Sequence, residues 1–319
     1  MNLKQQIWRP VVLLSLIGIM ITGCAPGKQE KITLKMALLP VLDTLPIHVA
    51  LEEGYFKQEG VKVEIIPVAS APERDQLLSA GKADGMLNEI VSTIFFNQDG
   101  VQVEIVRVAR AASEEAPLFR IMASAGSGIE NVEDLKGVEI GVSEGTVIEY
   151  VTDRLLQEEG FSEEEIATIP VPKIPDRLAL LGSGELKAAV LPDPLSSLAI
   201  QNGATVPIDD SSYPQYGLSV FSFRTEVIAE HPRAVEAFLA AVERAVEDIN
   251  RDPSAYANLL TEKELVPPPV LGEYSVQNFP TASVPSQAQW EDALSWTREK
   301  GLVEGDVSYQ DSVNSNLLP

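Results

Sequence analysis

Residues 32–65 read ITLKMALLPVLDTLPIHVALEEGYFKQEGVKVEI, and this stretch decides the fold. From Ile32 to Leu38 apolar side chains recur at every second residue, which is the pattern of a β-strand. Residues 45–53 then carry apolar side chains at helical spacing, and Gly54 marks the end of that helix. Alternation returns at residues 61–65. Because strand, helix and strand follow one another within about 35 residues, they predict a βαβ unit with two parallel strands.

The same alternation of strands and helices continues along the first two-thirds of the chain. Further strands are predicted at residues 83–87, 101–108, 118–123, 138–142, 187–191 and 204–208. Further helices are predicted at residues 146–159, 176–181, 194–201, 232–250, 253–260 and 289–300. Ser70 and Ser162 are each followed three residues later by a glutamate, which predicts a capping box. The fold class is therefore α/β, closed by helices in the last third of the chain.

Two segments share one plan about a hundred residues apart. Residues 77–89 run from a helix through Gly81 into a short strand and a polar loop, and residues 180–193 repeat that order. This weak internal repeat supports two similarly built lobes.

The N-terminus has the layout of a cleaved export signal. Lys4 and Arg9 precede an apolar run over residues 11–21, which is too short to span a bilayer. The only cysteine of the chain, Cys24, ends the motif Ile-Thr-Gly-Cys at residues 21–24. This motif resembles the bacterial lipobox, whose cysteine is lipidated and becomes the new N-terminus. An ordinary secretory peptide that happens to contain a cysteine is the alternative.

The expected mature chain begins at Cys24, after a signal peptide of residues 1–23, and residues 24–30 form a tether. Removing Lys4 and Arg9 takes the formal charge from −23 to −25. A chain this acidic repels nucleic acid and anionic lipid surfaces, and it has no basic stripe. We therefore expect no nucleic-acid partner. The remaining chain is long enough for two lobes of ordinary size.

Four loops are the candidate ligand-binding segments. In open parallel sheets, ligands bind beyond the C-terminal ends of strands and beside helix N-termini, which nominates residues 39–44, 88–92, 143–146 and 192–194. Polar side chains there either contact a ligand or cap the helices that follow. The candidate residues are Asp43, Thr44, Asn88, Glu89, Ser143, Gly145, Thr146 and Asp193. Tyr216, with Tyr213 and Phe221, either stacks on a flat ligand or belongs to the core.

Residues 39–46 (Leu-Pro-Val-Leu-Asp-Thr-Leu-Pro) and 53–61 (Glu-Gly-Tyr-Phe-Lys-Gln-Glu-Gly-Val) resemble the opening of solute-binding proteins of ABC importers. The most similar group binds nitrate, sulfonates, taurine or thiamine-pyrimidine precursors. Residues 132–137 (Val-Glu-Asp-Leu-Lys-Gly) and 191–194 (Leu-Pro-Asp-Pro) also fit this group, and the likeness covers residues 31–319.

The resemblance implies a type II periplasmic-binding-protein fold, in which two α/β lobes enclose a ligand cleft at a hinge. The two crossings between lobes are expected near residues 111–119 and 216–223. Lobe 1 would then comprise residues 31–112 and 220–319, and lobe 2 residues 113–219.

The implied function is capture of a small-molecule ligand by hinge closure and its delivery to an ABC permease, which the ATPase drives. No bond is made or broken, so the resemblance implies neither an enzyme nor a cofactor. The expected protein is a monomer, anchored through Cys24 on the outer face of the cytoplasmic membrane or on the periplasmic side. A nitrate or sulfonate site should offer Arg, Lys or a helix N-terminus to the anion, and the candidate arginines are Arg74, Arg110, Arg120 and Arg177. None of them falls in the four loops, which hold Asp43, Glu89, Glu144 and Asp193 instead. This composition favours a neutral or cationic heteroaromatic ligand, such as a pyrimidine, over nitrate, taurine or a sulfonate.

Other functions have weaker support in the sequence. A sensor lipoprotein of the same fold without a transporter remains open. Residues 141–145 (Gly-Val-Ser-Glu-Gly) match the nucleophile elbow of serine hydrolases, but the only histidine after Ser143 is His231 at a helix start. The fungal pyrimidine-forming enzymes of this fold use a cysteine-rich segment, whereas this chain has Cys24 alone. His48 and His231 are too far apart in sequence to indicate a metal site.

Overall fold

The computed structural model describes residues 32–319, so the predicted signal peptide, tether and lipidated Cys24 lie outside the described residues. Its strands are β1 (Thr33–Leu38), β2 (Lys62–Pro67), β3 (Gly85–Asn88), β4 (Val103–Ala111), β5 (Phe119–Ala123), β6 (Glu139–Val142), β7 (Ala167–Pro170), β8 (Ala188–Pro192), β9 (Thr205–Asp209) and β10 (Leu218–Arg224). Its helices are α1 (Leu45–Glu52), α2 (Tyr55–Gln58), α3 (Ala71–Ser79), α4 (Ile90–Asn97), α5 (Val147–Glu158), α6 (Ile174–Ser183), α7 (Leu195–Gln201), α8 (Thr225–Glu230), α9 (Pro232–Arg251), α10 (Ala257–Glu262), α11 (Gln287–Glu299) and α12 (Tyr309–Ser312). Within residues 32–319 no helix is both long and apolar enough to cross a membrane.

The strands form two five-stranded sheets with the same plan. The first sheet has the order β2-β1-β3-β10-β4, and the second has the order β7-β6-β8-β5-β9. The predicted βαβ unit is confirmed, because β1 pairs with β2 in parallel from Thr33 opposite Lys62 to Leu38 opposite Pro67. Both sheets are mixed, since β10 and β5 run antiparallel to their neighbours. The result is a mixed α/β fold of two sheets, as the sequence predicted.

The internal repeat seen in the sequence lies at equivalent places in the two sheets. Helix α3 ends before Gly81 and leads into β3, and helix α6 ends at Gly184 and leads into β8. Both glycines have left-handed backbones, with φ of +63° and +77°. Strands β3 and β8 are each the third strand of their sheet, so the repeated segments perform the same structural task.

The long helix α9 covers the first sheet. The ring of Phe238 lies 5.4 Å from Phe56, 5.9 Å from Phe221 and 5.2 Å from Phe223, measured between ring centroids. All four rings are buried. Phe221, which the sequence left open as a ligand contact, therefore belongs to the core.

Helix α11 packs against α4 and bonds through its side chains to α5 beside the second sheet. Trp296 Nε1 donates a 2.8 Å hydrogen bond to Asp153 Oδ2, and the Tyr150 hydroxyl donates one of 2.7 Å to Asp292 Oδ2. The chain after the second crossing thus contacts elements beside both sheets. The lobe limits proposed from the sequence stay a prediction.

Three local predictions differ from the structure. Residues 167–170 form the edge strand β7, which sequence alternation did not reveal. Residues 253–260, predicted as one helix, are a 3₁₀ turn over Pro253–Tyr256 followed by α10. Most of the second predicted crossing is strand β10, whose residues pair with β3 and β4. The capping box at Ser162 is confirmed. At Ser70 only half of the box forms: the Ser70 hydroxyl accepts from the Glu73 backbone N–H, whereas the Glu73 carboxylate accepts from the backbone N–H of Ala69.

Candidate ligand-binding site

The four predicted loops meet at one cavity of about 80 Å³. They follow β1 and β3 in the first sheet and β6 and β8 in the second, so the cavity lies between strand ends of both sheets. About 10–15 Å³ of cavity volume holds one water molecule, so this cavity has room for several groups of that size. Six of the candidate residues line it: Asp43, Asn88, Glu89, Ser143, Thr146 and Asp193.

The other three candidates do not line this cavity. The Thr44 hydroxyl donates a 2.8 Å hydrogen bond to the carbonyl oxygen of Val41. Gly145 has a left-handed backbone with φ of +67°, so its role is in the turn before α5. The Tyr216 hydroxyl donates a 2.6 Å hydrogen bond to Glu158 Oε1, and its side chain borders a smaller neighbouring cavity.

Much of the cavity wall is apolar. The apolar lining residues are Leu39, Val41, Ala71, Leu87, Leu118, Phe119, Val147, Ile148, Pro172, Ile174 and Pro192. Such walls favour a ligand that has an apolar portion in addition to its polar groups.

Two of the four candidate arginines also line the cavity, although both lie outside the four loops. Arg74 reaches it from α3 and Arg177 from α6, and both side chains are buried. Long side chains on helices can reach a site that the strand-end loops define. The sequence carried a signal for them, because Pro-Glu-Arg at residues 72–74 and Pro-Asp-Arg at residues 175–177 occupy the same place in the internal repeat.

Arg74 is fully paired within the protein. Its Nε lies 2.7 Å from Asp75 Oδ1, its Nη2 lies 3.2 Å from Glu89 Oε1, and its Nη1 donates to the carbonyl oxygen of Leu87. Burial raises the pKa of Glu89, and the nearby Arg74 guanidinium opposes that rise. The positive charge of Arg74 is therefore balanced by carboxylates of the protein itself.

Arg177 has no such balance. Its Nε donates a 2.9 Å hydrogen bond to the Val190 carbonyl and its Nη1 one of 2.8 Å to the Val171 carbonyl. Its Nη2 has no hydrogen-bond partner among the described residues. Burial alone lowers the pKa of Arg177 to about 10, so the side chain stays charged at neutral pH. The result is a buried cation without a carboxylate partner in the described chain, which is an unfavourable arrangement unless an anion compensates it.

The internal repeat gives the reason for this difference. When the sequence is aligned with itself at an offset of 103 residues, Arg74 aligns with Arg177 and Leu87 with Val190. The same offset brings the two carboxylates that pair with Arg74 onto Leu178 and Pro192. The second copy thus keeps the arginine and its backbone acceptor but replaces both acids by apolar residues.

Ser143 supplies a second hydrogen-bonding group without a partner. Its hydroxyl is buried and has no hydrogen-bond partner in the described part of the chain. The adjacent Thr146 caps α5, because its hydroxyl accepts from the Ile148 backbone N–H and donates to the Ser143 carbonyl. The cavity therefore combines an unpaired hydroxyl, an unpaired guanidinium nitrogen and the N-terminus of a twelve-residue helix.

The carboxylates in the cavity already have partners. Asp193 accepts hydrogen bonds from Arg110 Nη2 at 3.3 Å, from Arg120 Nη1 at 3.2 Å and from the Tyr274 hydroxyl. Burial and the Asp193 charge raise the pKa of Tyr274, so its hydroxyl keeps the proton that it donates. Asp43 accepts a hydrogen bond from Ser219. These pairings weaken the argument from the sequence that the carboxylates are free to bind a cationic ligand.

Among the described residues, the cavity has neither a serine–histidine pair nor a cluster of metal ligands. Neither described histidine is among the residues that line the cavity, so Ser143 has no adjacent imidazole to act as a base. Within residues 32–319, no group of three or more His, Cys, Asp or Glu side chains could hold a metal ion.

Comparison with known proteins identifies the family. The family described as "NMT1/THI5 like" matches residues 42–256. The chain belongs to the NMT1/THI5-like family. Among curated members and relatives, a Bacillus subtilis (strain 168) protein named for aliphatic sulfonate binding is 24% identical over 251 residues, which is 74% of this chain and 72% of that protein.

Fungal relatives of the NMT1/THI5-like chain are matched over a shorter part. The 4-amino-5-hydroxymethyl-2-methylpyrimidine phosphate synthase of Schizosaccharomyces pombe is 25% identical over 223 residues. That match covers 66% of this chain and 62% of the synthase. The Saccharomyces cerevisiae synthase THI11 is 26% identical over 141 residues, which is 44% of this chain and 40% of that protein.

Solved structures show the fold of the NMT1/THI5-like chain. The alkanesulfonate-binding protein SsuA from Xanthomonas axonopodis pv. citri, bound to MOPS, aligns with a TM-score of 0.75 at 18% identity, over 89% of this chain and 98% of SsuA. The periplasmic nitrate-binding protein NrtA from Synechocystis PCC 6803 aligns with a TM-score of 0.71 at 16% identity, over 90% and 87%. The desulfurization enzyme DSZB also aligns, with a TM-score of 0.68 at 15% identity, over 90% and 97%. The fold is therefore that of periplasmic binding proteins, and it also occurs in an enzyme.

Proposed function

We propose that this protein is the solute-binding component of an ABC importer and that it binds a small organic anion in the cavity between its two sheets. The described chain would be held at the outer face of a membrane by a lipid on Cys24. Ligand binding would bring the strand ends of the two sheets together, and the closed form would be offered to a permease.

One observation carries the ligand class. Arg177 Nη2 and Ser143 Oγ are buried, lack hydrogen-bond partners in the described chain, and belong to side chains that line one cavity. A guanidinium and a hydroxyl both donate to anionic oxygen atoms, and the helix N-terminus beside them favours negative charge. The apolar walls would then hold an alkyl or ring portion of the same ligand.

The relatives support transport of this class of solute. The Bacillus subtilis relative and SsuA are named for binding sulfonates, and NrtA for binding nitrate. A sulfonate with a short apolar body carries a negative charge that would compensate Arg177. Its apolar portion would contact the apolar walls of the cavity. Nitrate would satisfy Arg177 but would leave those walls without a contact.

A neutral or cationic heteroaromatic ligand, such as a thiamine-pyrimidine precursor, is the second candidate. The names of the fungal relatives favour it, since they are named as synthases of a pyrimidine phosphate. The flat walls at Phe119, Pro172 and Pro192 could hold such a ring. It would leave the charge of Arg177 uncompensated, and for that reason it ranks second.

The proposal assigns no chemical reaction to the protein. The Ser143 hydroxyl lacks a neighbouring histidine among the described residues, and the chain has no cysteine beyond Cys24. A sensor lipoprotein with the same ligand but without a permease differs only in its partners. Growth on an alkanesulfonate as the sulfur source, with and without the gene, separates transport from sensing.

A thermal-shift screen of the mature chain tests the ligand class. The panel contains ethanesulfonate, taurine, nitrate and 4-aminopyrimidine. We expect the largest stabilisation from a sulfonate, about 2.7 kcal/mol at 100 times its dissociation constant. Stabilisation by the pyrimidine alone would favour the second candidate.

A further inference from the structure

Arg110 lies between two carboxylates that belong to different sheets. Arg110 lies near the end of β4, at the first crossing of the chain, and only 3% of its surface is exposed. Its Nη2 lies 3.3 Å from Asp193 Oδ2, in the loop that follows β8 of the second sheet. Its Nη1 lies 3.8 Å from Asp43 Oδ2, in the loop that follows β1 of the first sheet.

Arg110 does not touch the ligand cavity, although both of its carboxylates line it. The guanidinium borders a second cavity of about 430 Å³ on the far side of Asp193, together with Arg120 and Tyr274. Any effect of Arg110 on the ligand must therefore act through the two carboxylates.

The contact with Asp43 is incomplete. Arg110 Nη1 is buried and has no hydrogen-bond partner within residues 32–319. Its distance of 3.8 Å from Asp43 Oδ2 is beyond the normal range of about 2.7–3.2 Å for such bonds. Arg110 in β4 and Asp43 after β1 both belong to the first sheet, so a shift of less than about 1 Å of the Arg110 side chain would complete the bond.

The two carboxylates depend unequally on Arg110. Asp193 also pairs with Arg120 at 3.2 Å and with the Tyr274 hydroxyl. Asp43 accepts from the Ser219 hydroxyl, and Arg110 is the only cation in an ion pair with it among the described residues. Without Arg110, two buried carboxylates of like charge would face one another from opposite sheets, which favours separation of the sheets.

We infer that Arg110 is a positioning residue that holds the cavity closed by bridging Asp43 of the first sheet and Asp193 of the second. This inference rests on the proposed hinge closure. Ligand that holds the two loops together would keep the contact between Arg110 and Asp193, which is the contact that joins the two sheets. Arg110 would thus strengthen binding without touching the ligand.

The test measures the separation of the two sheets directly. Cys24 is the only cysteine, so a C24A background carrying Lys82→Cys and Glu185→Cys offers two unique, exposed sites for spin labels. These sites follow α3 and α6 at equivalent places of the internal repeat. Double electron–electron resonance then gives the label distance with and without ethanesulfonate, and calorimetry gives the affinity.

In the parent protein, we expect ethanesulfonate to shift and narrow the label distances. In Arg110→Met without ligand, the label distances should differ more from those of the ligand-bound parent protein than the distances of the ligand-free parent do. The affinity of the variant for ethanesulfonate should fall roughly 10- to 100-fold. Arg110→Lys keeps the charge but bonds one carboxylate at a time. Its label distances and its affinity for ethanesulfonate should therefore lie between those of the parent protein and those of Arg110→Met. Arg154→Met is the control, because Arg154 is a mostly enclosed arginine that also pairs with two carboxylates, Asp292 and Glu299, but away from the cavity.

Parental distances and affinity in either folded Arg110 variant would overturn the inference, as would an equal effect of Arg154→Met. If no ligand changes the distances of the parent protein, the proposed function fails instead. The ligand-free distances still decide the role of Arg110 in that case, because they need no ligand.

Discussion

Arg74 and Arg177 hold equivalent positions beside the two sheets. Arg74 Nη1 donates a 3.2 Å hydrogen bond to the Leu87 carbonyl in β3, and Arg177 Nε donates one of 2.9 Å to the Val190 carbonyl in β8. Only Arg74 has carboxylate partners in the described chain. The charge of one arginine is therefore balanced within the fold, whereas the other keeps a donor without a partner among the described residues.

The two arginines should respond differently to replacement by methionine. Arg74→Met leaves Glu89 buried without its cation, and we expect the free energy of unfolding to fall by about 3–5 kcal/mol. Arg177→Met removes hydrogen bonds to backbone carbonyls but strands no carboxylate, so the loss should be about 1–3 kcal/mol. Urea unfolding of both variants measures the difference. Equal losses would contradict the unequal pairing of the two side chains.

Gly217 should not tolerate a side chain. A Cβ atom there would lie 1.9 Å from Asp210 Oδ2 and 2.9 Å from Ala112 Cβ. Asp210 cannot move away freely, because its carboxylate accepts backbone N–H bonds from Leu118 and Phe119 at 2.8 and 3.1 Å. We expect Gly217→Ala to lower the free energy of unfolding by about 3 kcal/mol or more.

Gly182→Ala is the matched control for that variant. Gly182 lies in α6, and a Cβ atom there would meet nothing within 4 Å. Replacing it by alanine should raise the free energy of unfolding by about 0.5–1 kcal/mol. If both glycine variants behave alike, the close approach at Gly217 is not what limits that position.

His48 should make stability depend on pH. Burial, and then the charge of Lys263, lowers the pKa of this half-buried histidine from 6.5 to about 4. Between these values the unfolded chain binds a proton that the folded chain does not, so stability falls as the pH is lowered. The slope from this group should reach about 1.4 kcal/mol per pH unit.

The variant His48→Gln isolates this contribution. Urea unfolding between pH 7 and pH 4 should show a shallower loss of stability in the variant than in the parent protein. Identical slopes would mean that His48 titrates normally in the folded state.

Cys24 is expected to control location and not binding. In cells, Cys24→Ala should move the protein from the membrane fraction to the soluble or secreted fraction, because the lipid would be lost. The affinity for ethanesulfonate should stay unchanged. A variant that remains with the membrane, or that loses affinity, would contradict the separation of anchor and binding site.

The sequence predicted those features that depend on local periodicity. The β1–α1–β2 unit and the helices α5 and α9 were predicted within a few residues, because each has a clear period and a capping or terminating residue. Strand β7 was missed because it is a four-residue edge strand that ends in Pro170 and is half-buried on both faces. Its sequence therefore shows no alternation.

The candidate site was predicted in part for a similar reason. The rule for strand ends found the four loops, and six of their residues line one cavity. The rule does not consider side chains that extend from helices, so it left Arg74 and Arg177 outside the site although both were among the candidate arginines. It also led to a preference for a neutral or cationic ligand, since it counted the carboxylates in the loops and set aside the arginines, which lie outside them.

The most direct test of the proposed function is calorimetric titration of the mature chain and of Arg177→Met with ethanesulfonate. A hydrogen bond to a charged group contributes about 1.5–3 kcal/mol, so the variant should bind roughly 10- to 150-fold more weakly than the parent. Equal affinity in the two proteins, or binding of 4-aminopyrimidine with no binding of any organic anion, would contradict the assignment of Arg177 as the anchor of the ligand.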